Sequence, residues 1–337
     1  MASTLAFFNN KGGVGKTTLA CNFAAYLATQ GERTLILDLD PQCNSTQLVL
    51  TDDQWADIYE DVETSDAKTI MGPLTPIRSG DSTVDVSDLP IVQAERFGVD
   101  VLPGHPSLSI IEDSLGTSWA EFGGGGAGGA RRTAWLRALR DHLEDDYDVI
   151  VVDASPSLGA INRAALIGSD YFMTPMSADL FSLYALDNIA VWLHRWLKVY
   201  ANAHRSALPE LEATGYGELL PAELPISEGF VGYTVQQYVS RASGGEVRRV
   251  KAYDQHRSEI PRHAEQLVEL STFDSQKLEL GTVPNMFSMI PLAQSVHAPI
   301  MSLEPSDGVR GAQVSQQKRY ADQLEDIFEI ISDRISA

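Results

Sequence analysis

Two lysines lie close together near the start of the chain, in a glycine-rich stretch that reads Lys-Gly-Gly-Val-Gly-Lys-Thr-Thr from Lys11 to Thr18. Its end matches a phosphate-binding loop, G-x-x-x-x-G-K-[ST], although Asn10 stands where the first glycine of that motif is expected. The glycines let backbone N–H groups turn toward phosphate oxygens. Lys16 would lie along the β- and γ-phosphates, and the Thr17 hydroxyl would bind the Mg²⁺ that bridges them.

A strand and a helix must flank such a loop, and the pattern predicts both. Residues 4–8 form a short apolar run typical of a buried strand. Residues 17–30 have apolar side chains at helical spacing, and Gly31 ends that pattern. The N-terminal end of this helix would favour negatively charged phosphates. The required residue types therefore occur in the required context, and a simple glycine turn explains them poorly.

The stretch from Lys11 to Thr18 resembles the deviant Walker A box of the ParA/MinD family of partition and positioning ATPases. Residues 34–46, an apolar run leading into Asp-Leu-Asp-Pro-Gln, resemble the second box of that family, and residues 149–153 resemble its Walker B strand. The loop that follows, Ala-Ser-Pro-Ser-Leu-Gly, is similar to the family's T-P-P-S-L-G, with two substitutions at its start. Weaker matches follow in the family's order. The resemblance covers most of the chain and is closest to the branch with a short N-terminus.

This resemblance implies an α/β fold, with a mostly parallel, doubly wound sheet and helices on both faces. Alternating apolar runs and helical patterns agree with it. We expect one P-loop NTPase domain over residues 1–337, with insertions. Residues 120–132 are rich in glycine and are predicted to be a flexible spacer. Residues 200–228 and 239–283 are predicted to be family-variable insertions that carry partner specificity, and residues 316–337 to be a C-terminal helix.

The resemblance also implies roles for three aspartates. Asp153, at the end of a strand, would hold a magnesium-bound water. Asp40 would orient or activate the attacking water, and Asp38 would support the metal shell from the same face of its strand. The predicted catalytic residues are Lys11, Lys16 and Asp40, and the predicted metal-site residues are Thr17, Asp38 and Asp153. The predicted nucleotide contacts are Lys11, Gly12, Gly13, Val14, Gly15, Lys16, Thr17, Thr18, Gln236 and Pro291.

The adenine contacts are predicted from the family pattern of a late proline-containing loop and a side chain at a strand end. These features point to Pro291 and to one of Gln236 and Gln237, with Gln236 slightly favoured. An amide that merely finishes the strand at residues 230–235 explains the glutamine equally well.

Lys11 has a distinct role in this family, where the corresponding lysine reaches across a dimer interface to the phosphates of the partner's nucleotide. A cation delivered by the second subunit stabilises charge that develops on the transferred phosphoryl group. The resemblance therefore implies an ATPase that uses ATP and Mg²⁺, forms a homodimer in the ATP state, and turns over slowly without a partner.

The net charge of −21 argues against DNA binding, because nonspecific affinity comes mainly from lysine and arginine. Much of the negative charge is local, since residues 52–66 contain seven acidic residues and no basic one. The candidate DNA-binding residues, Arg241, Arg248, Arg249 and Lys251, lie in a basic stretch. A solvated stretch of mixed charge is an equally good interpretation.

Cysteine usage and hydropathy indicate a cytoplasmic protein, associated with the nucleoid if it binds DNA. The two cysteines, Cys21 and Cys43, suggest neither a disulfide framework nor an iron-sulfur cluster. No stretch approaches the roughly twenty apolar residues of a membrane span. The apolar face of the C-terminal helix is accompanied by acidic residues that anionic lipid would repel, so no membrane partner is expected.

The leading interpretation is a ParA-like ATPase that acts in partition or positioning of plasmid or chromosomal DNA. Its ATP-bound dimer would bind nonspecific DNA and would be reset when a ParB-like or other activating protein stimulates hydrolysis. A second interpretation is a nucleotide-switched adaptor or regulatory ATPase that recruits a protein effector or positions a non-DNA cargo. A third is a ligase-like metabolic enzyme on the same loop, against which the Asp-Leu-Asp-Pro-Gln segment counts.

Overall fold

The computed structural model describes residues 2–237, 242–243, 246–247 and 251–336. The strands are β1 (Ser3–Phe7), β2 (Thr34–Leu39), β3 (Val92–Ala94), β4 (Val99–Leu102), β5 (Val149–Ala154), β6 (Tyr171–Ser177), β7 (Phe230–Gln236), β8 (Ala242–Ser243), β9 (Glu246–Val247) and β10 (Glu279–Val283). The helices are α1 (Lys16–Thr29), α2 (Asn44–Val49), α3 (Asp52–Tyr59), α4 (Met71–Arg78), α5 (Leu108–Gly123), α6 (Ala127–Thr133), α7 (Trp135–Leu143), α8 (Ala160–Gly168), α9 (Leu180–Ala213), α10 (Lys251–Ala264), α11 (Met289–Ser295) and α12 (Ala312–Ile335).

The main sheet has eight strands in the order β10, β7, β6, β1, β5, β2, β4, β3. Its neighbouring strands are parallel except at one edge, where β3 runs antiparallel to β4. The predicted α/β fold with a mostly parallel sheet is therefore confirmed. Strand β1 lies in the middle of the sheet, between β5 and β6. Its carboxyl end therefore opens into a central crevice, at the end of the strands where such folds bind ligands.

Strand register brings the predicted acidic residues to this crevice. Asp153 on β5 lies opposite Phe7 on β1 and opposite Asp38 on β2. The chain leaves β1 immediately before the glycine-rich loop, so loop and carboxylates share one end of the sheet. Parallel pairing across β1, β5 and β2 thus positions groups that are far apart in the sequence.

Apolar side chains fill a core layer on each face of the sheet. On one face Leu5 and Phe7 pack with α1 and α12, and the rings of Phe23 and Phe328 lie 5.5 Å apart between their centroids. On the other face Leu37 belongs to the layer that includes α5, α7, α8 and α9. The strands are buried on both faces, as expected for a parallel sheet covered by helices. The apolar face of α12 is buried in the first layer rather than exposed.

The structure corrects the prediction of a flexible spacer at residues 120–132. These residues form the end of α5, a turn and most of α6. A Cβ atom at Gly129 would lie 2.5 Å from the Ser118 carbonyl oxygen and 2.6 Å from the Phe122 nitrogen. Glu121 accepts a hydrogen bond from the Gly129 nitrogen (3.0 Å) and pairs with Arg132. The glycines therefore allow two helices to cross closely, a packing role that composition alone could not distinguish from flexibility.

The two predicted insertions take different forms. Residues 200–213 continue α9, a helix of 34 residues, so the first predicted insertion begins inside a regular element. Residues 239–283 contain the short ribbon of β8 and β9, then α10 and β10. Strand β10 pairs with β7 and extends the main sheet. Within the part of the chain that the structure describes, no helix is long and apolar enough to cross a membrane.

Candidate nucleotide-binding site

The glycine-rich loop connects β1 to α1 and borders a cavity of about 240 Å³, which we call the phosphate cavity after the predicted ligand of the loop. Gly13 and Gly15 have φ angles of 74° and 81°, in the left-handed region that glycine adopts most readily. Helix α1 begins at Lys16, so its first N–H groups are available to an anion. Within the loop, the side chain of Val14 is buried. The cavity is lined by Gly12, Gly13, Gly15, Lys16, Thr17, Thr18, Asp40, Gln42, Asn44, Leu48, Pro156 and Gln294.

Lys16 is the cation of this cavity, and its side chain is almost fully buried. Desolvation lowers the pKa of Lys16, while the negative charges of Asp153 and Asp40 oppose that shift. A buried ammonium group beside an anion cavity interacts strongly with phosphate, because water screens the attraction poorly there. The structure therefore brings Lys16 and Asp40 to one cavity, and their roles there stay predictions.

Asp153 is fully buried behind Thr17, one of the residues that line the cavity. Its Oδ2 accepts hydrogen bonds from Thr17 Oγ1 (2.7 Å) and from Ser45 Oγ (2.6 Å). Its Oδ1 is also buried and has no hydrogen-bond partner among the described residues. Burial raises the pKa of Asp153, although Ser45, Lys16 and Thr17 each act to lower it.

These groups fit a hard cation such as Mg²⁺, which prefers oxygen ligands and carboxylates. The unpaired Oδ1 of Asp153 lies on the same carboxylate as the Thr17 contact, so the site offers both a hydroxyl and a free carboxylate oxygen. Ser45 was not predicted from the sequence. A serine five residues after Asp40 gives no local signal, because only the pairing of β2 with β5 places it on Asp153.

Asp38 is fully buried, and both of its carboxylate oxygens accept hydrogen bonds from residues a few positions later in the chain. Its Oδ2 accepts from the Thr46 nitrogen (2.9 Å) and from Thr46 Oγ1 (2.7 Å), and its Oδ1 accepts from the Asp40 nitrogen (3.2 Å). Burial and the negative charge of Asp153 raise the pKa of Asp38 to about 7, despite these hydrogen bonds. Asp38 thus fixes the start of α2 behind the site, and its support of a metal shell stays a prediction.

Asp40 borders the cavity directly. Its Oδ1 accepts a hydrogen bond from the Gln42 nitrogen (3.0 Å), which ties the carboxylate to the turn after β2. The side chain is largely buried but lines the phosphate cavity. This position is compatible with orienting a water molecule, and that role stays a prediction.

Lys11 lies apart from the residues that line the phosphate cavity. Its Nζ forms an ion pair with Asp179 and donates a hydrogen bond to Ser182 Oγ (3.1 Å), both at the start of α9. Partial desolvation would raise the pKa of Asp179, but hydrogen bonds from Lys11 and Ser182 lower it overall. The two lysines of the loop therefore occupy different environments, and the Lys11 side chain is a quarter exposed.

A second cavity of about 230 Å³ adjoins the other side of the loop at Gly15 and Thr18. Gln236 approaches the loop so closely that a Cβ atom at Gly15 would lie 2.5 Å from Gln236 Nε2. The remaining lining residues are Leu19, Gln236, Gln237, Val283, Pro284, Asn285, Met286 and Ile290. This position, beside the phosphate loop and between two strand ends, suits a nucleobase.

Pro284 lines this second cavity, whereas the predicted adenine contact Pro291 is exposed on α11. The difference arises because β10 ends at Val283 and delivers the next residue to the cavity. A proline directly after a strand was the available signal, but β10 itself was not predicted. Gln236 and Gln237 both line the cavity, so the choice between them stays open.

Three of the four predicted DNA-binding residues lie outside the part of the chain that the structure describes. Arg241, Arg248 and Arg249 lie outside the described residues, and Lys251 is the first residue of α10. Further along α10, Arg257 forms an ion pair with Glu279. The DNA contacts stay predictions.

Comparison with known proteins adds information on relatives. The family described as an AAA domain matches residues 2–204. A chromosome partitioning protein ParA from Caulobacter vibrioides is 31% identical over 214 residues, which are 63% of this chain and 67% of that protein. The sporulation initiation inhibitor protein Soj from Bacillus subtilis is 29% identical over 191 residues, 56% of this chain and 64% of that protein.

A crystal structure of a protein from Corynebacterium diphtheriae is similar over nearly the whole length. Its TM-score is 0.77 at 34% sequence identity, and the match covers 99% of this chain and 98% of that one. The family match, by contrast, contains the phosphate loop and the carboxylates of β2 and β5 but ends before β7. The second cavity therefore lies partly in sequence outside the family match.

Proposed function

Because the chain belongs to the ParA/Soj/MinD family of P-loop ATPases, we propose that it hydrolyses ATP and uses ATP binding to control its own dimerisation. In this proposal the ATP-bound homodimer acts in partition or positioning of plasmid or chromosomal DNA. It binds DNA without sequence preference and is reset when an activating protein partner stimulates hydrolysis.

The observation that carries the proposal is the separation of the two loop lysines. Lys16 lies in the phosphate cavity, while Lys11 is held outside it by Asp179 and Ser182. One lysine is sufficient to contact the β- and γ-phosphates within a subunit. The second ammonium group, on Lys11, is partly exposed and would exchange Asp179 for the phosphates of a nucleotide bound by another subunit.

The remaining site residues support the hydrolysis step. Thr17 and Asp153 would hold Mg²⁺, which supplies neutralisation of the phosphate charges when it is bound. Lys16 binds and orients the phosphates, and Asp40 orients the attacking water. Lys11 from the second subunit would stabilise the charge that develops on the transferred group, so turnover would depend on assembly.

The test is to measure three properties: molar mass by light scattering with ADP and with ATP, ATP turnover, and affinity for the nucleotide. We expect the wild type to dimerise with ATP and not with ADP. Lys11→Ala should retain nucleotide binding but lose ATP-dependent dimerisation and reduce turnover by more than about tenfold, because the trans cation is missing. Lys16→Ala should weaken nucleotide binding itself by more than about tenfold.

The matched control is Lys318→Ala, which removes an exposed lysine from α12, away from the loop. It should behave as the wild type in all three measurements. Unchanged dimerisation and turnover in Lys11→Ala would refute the proposed role of the second lysine.

A further inference from the structure

Ser45 is a second hydroxyl group on the Asp153 carboxylate, and none of the roles described above uses it. Ser45 Oγ donates to Asp153 Oδ2 at 2.6 Å, and Thr17 Oγ1 donates to the same oxygen at 2.7 Å. Thr17 belongs to α1, whereas Ser45 belongs to α2. Two elements therefore converge on one carboxylate oxygen.

Ser45 is fixed in place by its surroundings. It is fully buried in the first turn of α2, which follows Cys43 in the left-handed conformation with φ 53°. The next residue, Thr46, donates both its backbone N–H and its hydroxyl to Asp38. The Ser45 side chain therefore has a fixed position from which its hydroxyl donates to Asp153, and the buried Cys21 thiol is its other hydrogen-bond neighbour.

The two oxygens of Asp153 are left in unequal states. Oδ2 receives two donors, while Oδ1 is buried with no partner among the described residues. A buried, unpaired carboxylate oxygen costs free energy unless a cation or a donor satisfies it. Removing a group that hydrogen-bonds to a metal-binding side chain, without touching the metal itself, commonly lowers metal affinity by about 10- to 100-fold.

We propose that Ser45 is a positioning residue for Mg²⁺: its hydrogen bond to Oδ2 turns Asp153 so that Oδ1 is presented to the cation or to a water bound to it. Thr17 offers an oxygen lone pair to the cation, and Ser45 acts through Asp153. The inference rests on the proposed binding of ATP and Mg²⁺ and deepens it by assigning the turn after β2 a part in metal affinity.

The experiment measures the affinity of a fluorescent ADP analogue in EDTA and over a MgCl₂ titration. ADP is used so that neither hydrolysis nor ATP-dependent dimerisation affects the reading. In the wild type we expect Mg²⁺ to strengthen binding of the analogue. In Ser45→Ala the Mg²⁺ concentration needed for this gain should rise about 10- to 100-fold, with binding in EDTA unchanged.

Two further variants serve as controls for this result. Ser45→Thr keeps the hydroxyl and should retain the gain from Mg²⁺, whereas Thr17→Ala should lose it. If Ser45→Ala keeps the wild-type Mg²⁺ dependence, the inference is wrong. If Ser45→Ala weakens binding equally in EDTA and in Mg²⁺, Ser45 only supports the fold of the site, and the inference is also wrong.

The wild type separates this inference from the function on which it rests. If the wild type binds the analogue without any Mg²⁺ dependence, the proposed Mg²⁺-dependent function fails and the inference fails with it. If the wild type responds to Mg²⁺ and Ser45→Ala responds equally, only the inference fails.

Discussion

At the scale of single residues, the site contains more buried negative charge than positive charge. Asp38, Asp40 and Asp153 are all nearly or fully buried, and Lys16 is the buried ammonium group among them. Buried carboxylates are costly unless they are paired, hydrogen-bonded or protonated. Three hydrogen bonds offset the cost of burying Asp38, and its raised pKa favours the neutral form. Asp153, by contrast, retains an oxygen with no partner among the described residues. This imbalance favours a cation at Asp153.

The raised pKa of Asp38, about 7 against an ordinary value of 3.8, predicts a pH dependence of stability. The folded protein binds this proton more tightly than the unfolded chain. The resulting stabilisation is fully present below about pH 4 and is lost as the pH rises toward 7. We expect the free energy of unfolding of the nucleotide-free protein, from urea titrations, to fall between pH 5 and pH 7.5.

The assignment to Asp38 is tested by comparing slopes rather than absolute stabilities. Asp38→Ala should show a smaller fall over this pH range, because the buried titrating group is gone. Asp322→Ala, on the exposed face of α12, should keep the wild-type slope. An equal fall in the Asp38 variant would assign the pH dependence to other groups.

At the scale of elements, close helix crossings depend on glycines that composition presents as flexible. Gly129 on α6 lies against the backbone of α5 at Ser118 and Phe122. A Cβ atom added at Gly116, within α5 itself, would meet no atom within 4 Å apart from its chain neighbours and the nearby backbone of the same helix. A side chain larger than hydrogen therefore does not fit at Gly129 but does fit at Gly116. One is needed for packing, while the other only lowers helix propensity.

We therefore expect Gly129→Val to destabilise the protein by at least about 2 kcal/mol, since the added atoms overlap backbone that cannot move aside easily. Gly116→Ala should stabilise it by up to about 1 kcal/mol through helix propensity. Urea unfolding of both variants measures the difference. A tolerated Gly129→Val would restore the interpretation of residues 120–132 as a spacer.

At the scale of the whole molecule, the net charge of −21 opposes any interaction with DNA. Screening limits that opposition, because the Debye length is about 8 Å at physiological ionic strength. A local basic stretch can therefore act independently of the acidic residues at 52–66. Two copies of it in an ATP-bound dimer would double the number of phosphate contacts.

This consideration predicts that the ATP-bound protein retards nonspecific DNA in gels at low salt, and that the ADP-bound protein does not. Arg248→Glu with Arg249→Glu should abolish the retardation, because binding depends on basic contacts to phosphate. Lys318→Glu with Arg319→Glu makes the same change in net charge on α12 and should have little effect. No ATP-dependent retardation by the wild type would favour the adaptor interpretation, in which the cargo is not DNA.

The sequence by itself determined the phosphate loop, its flanking strand and helix, and the aspartates at two strand ends. The first strand and first helix begin and end within one residue of the predicted bounds. These features are local, since glycine conformation, helix start and apolar periodicity act over a few neighbouring residues. A short window of sequence therefore contains all the information they need.

Only the tertiary structure decided which distant groups meet. Pairing of β2 with β5 places Ser45 on Asp153, the β6–α9 junction holds Lys11 against Asp179, and β10 delivers Pro284 to the second cavity. Each contact joins segments more than 100 residues apart in the chain. Strand register and sheet order set these contacts, and both follow from packing of the whole core rather than from any local pattern.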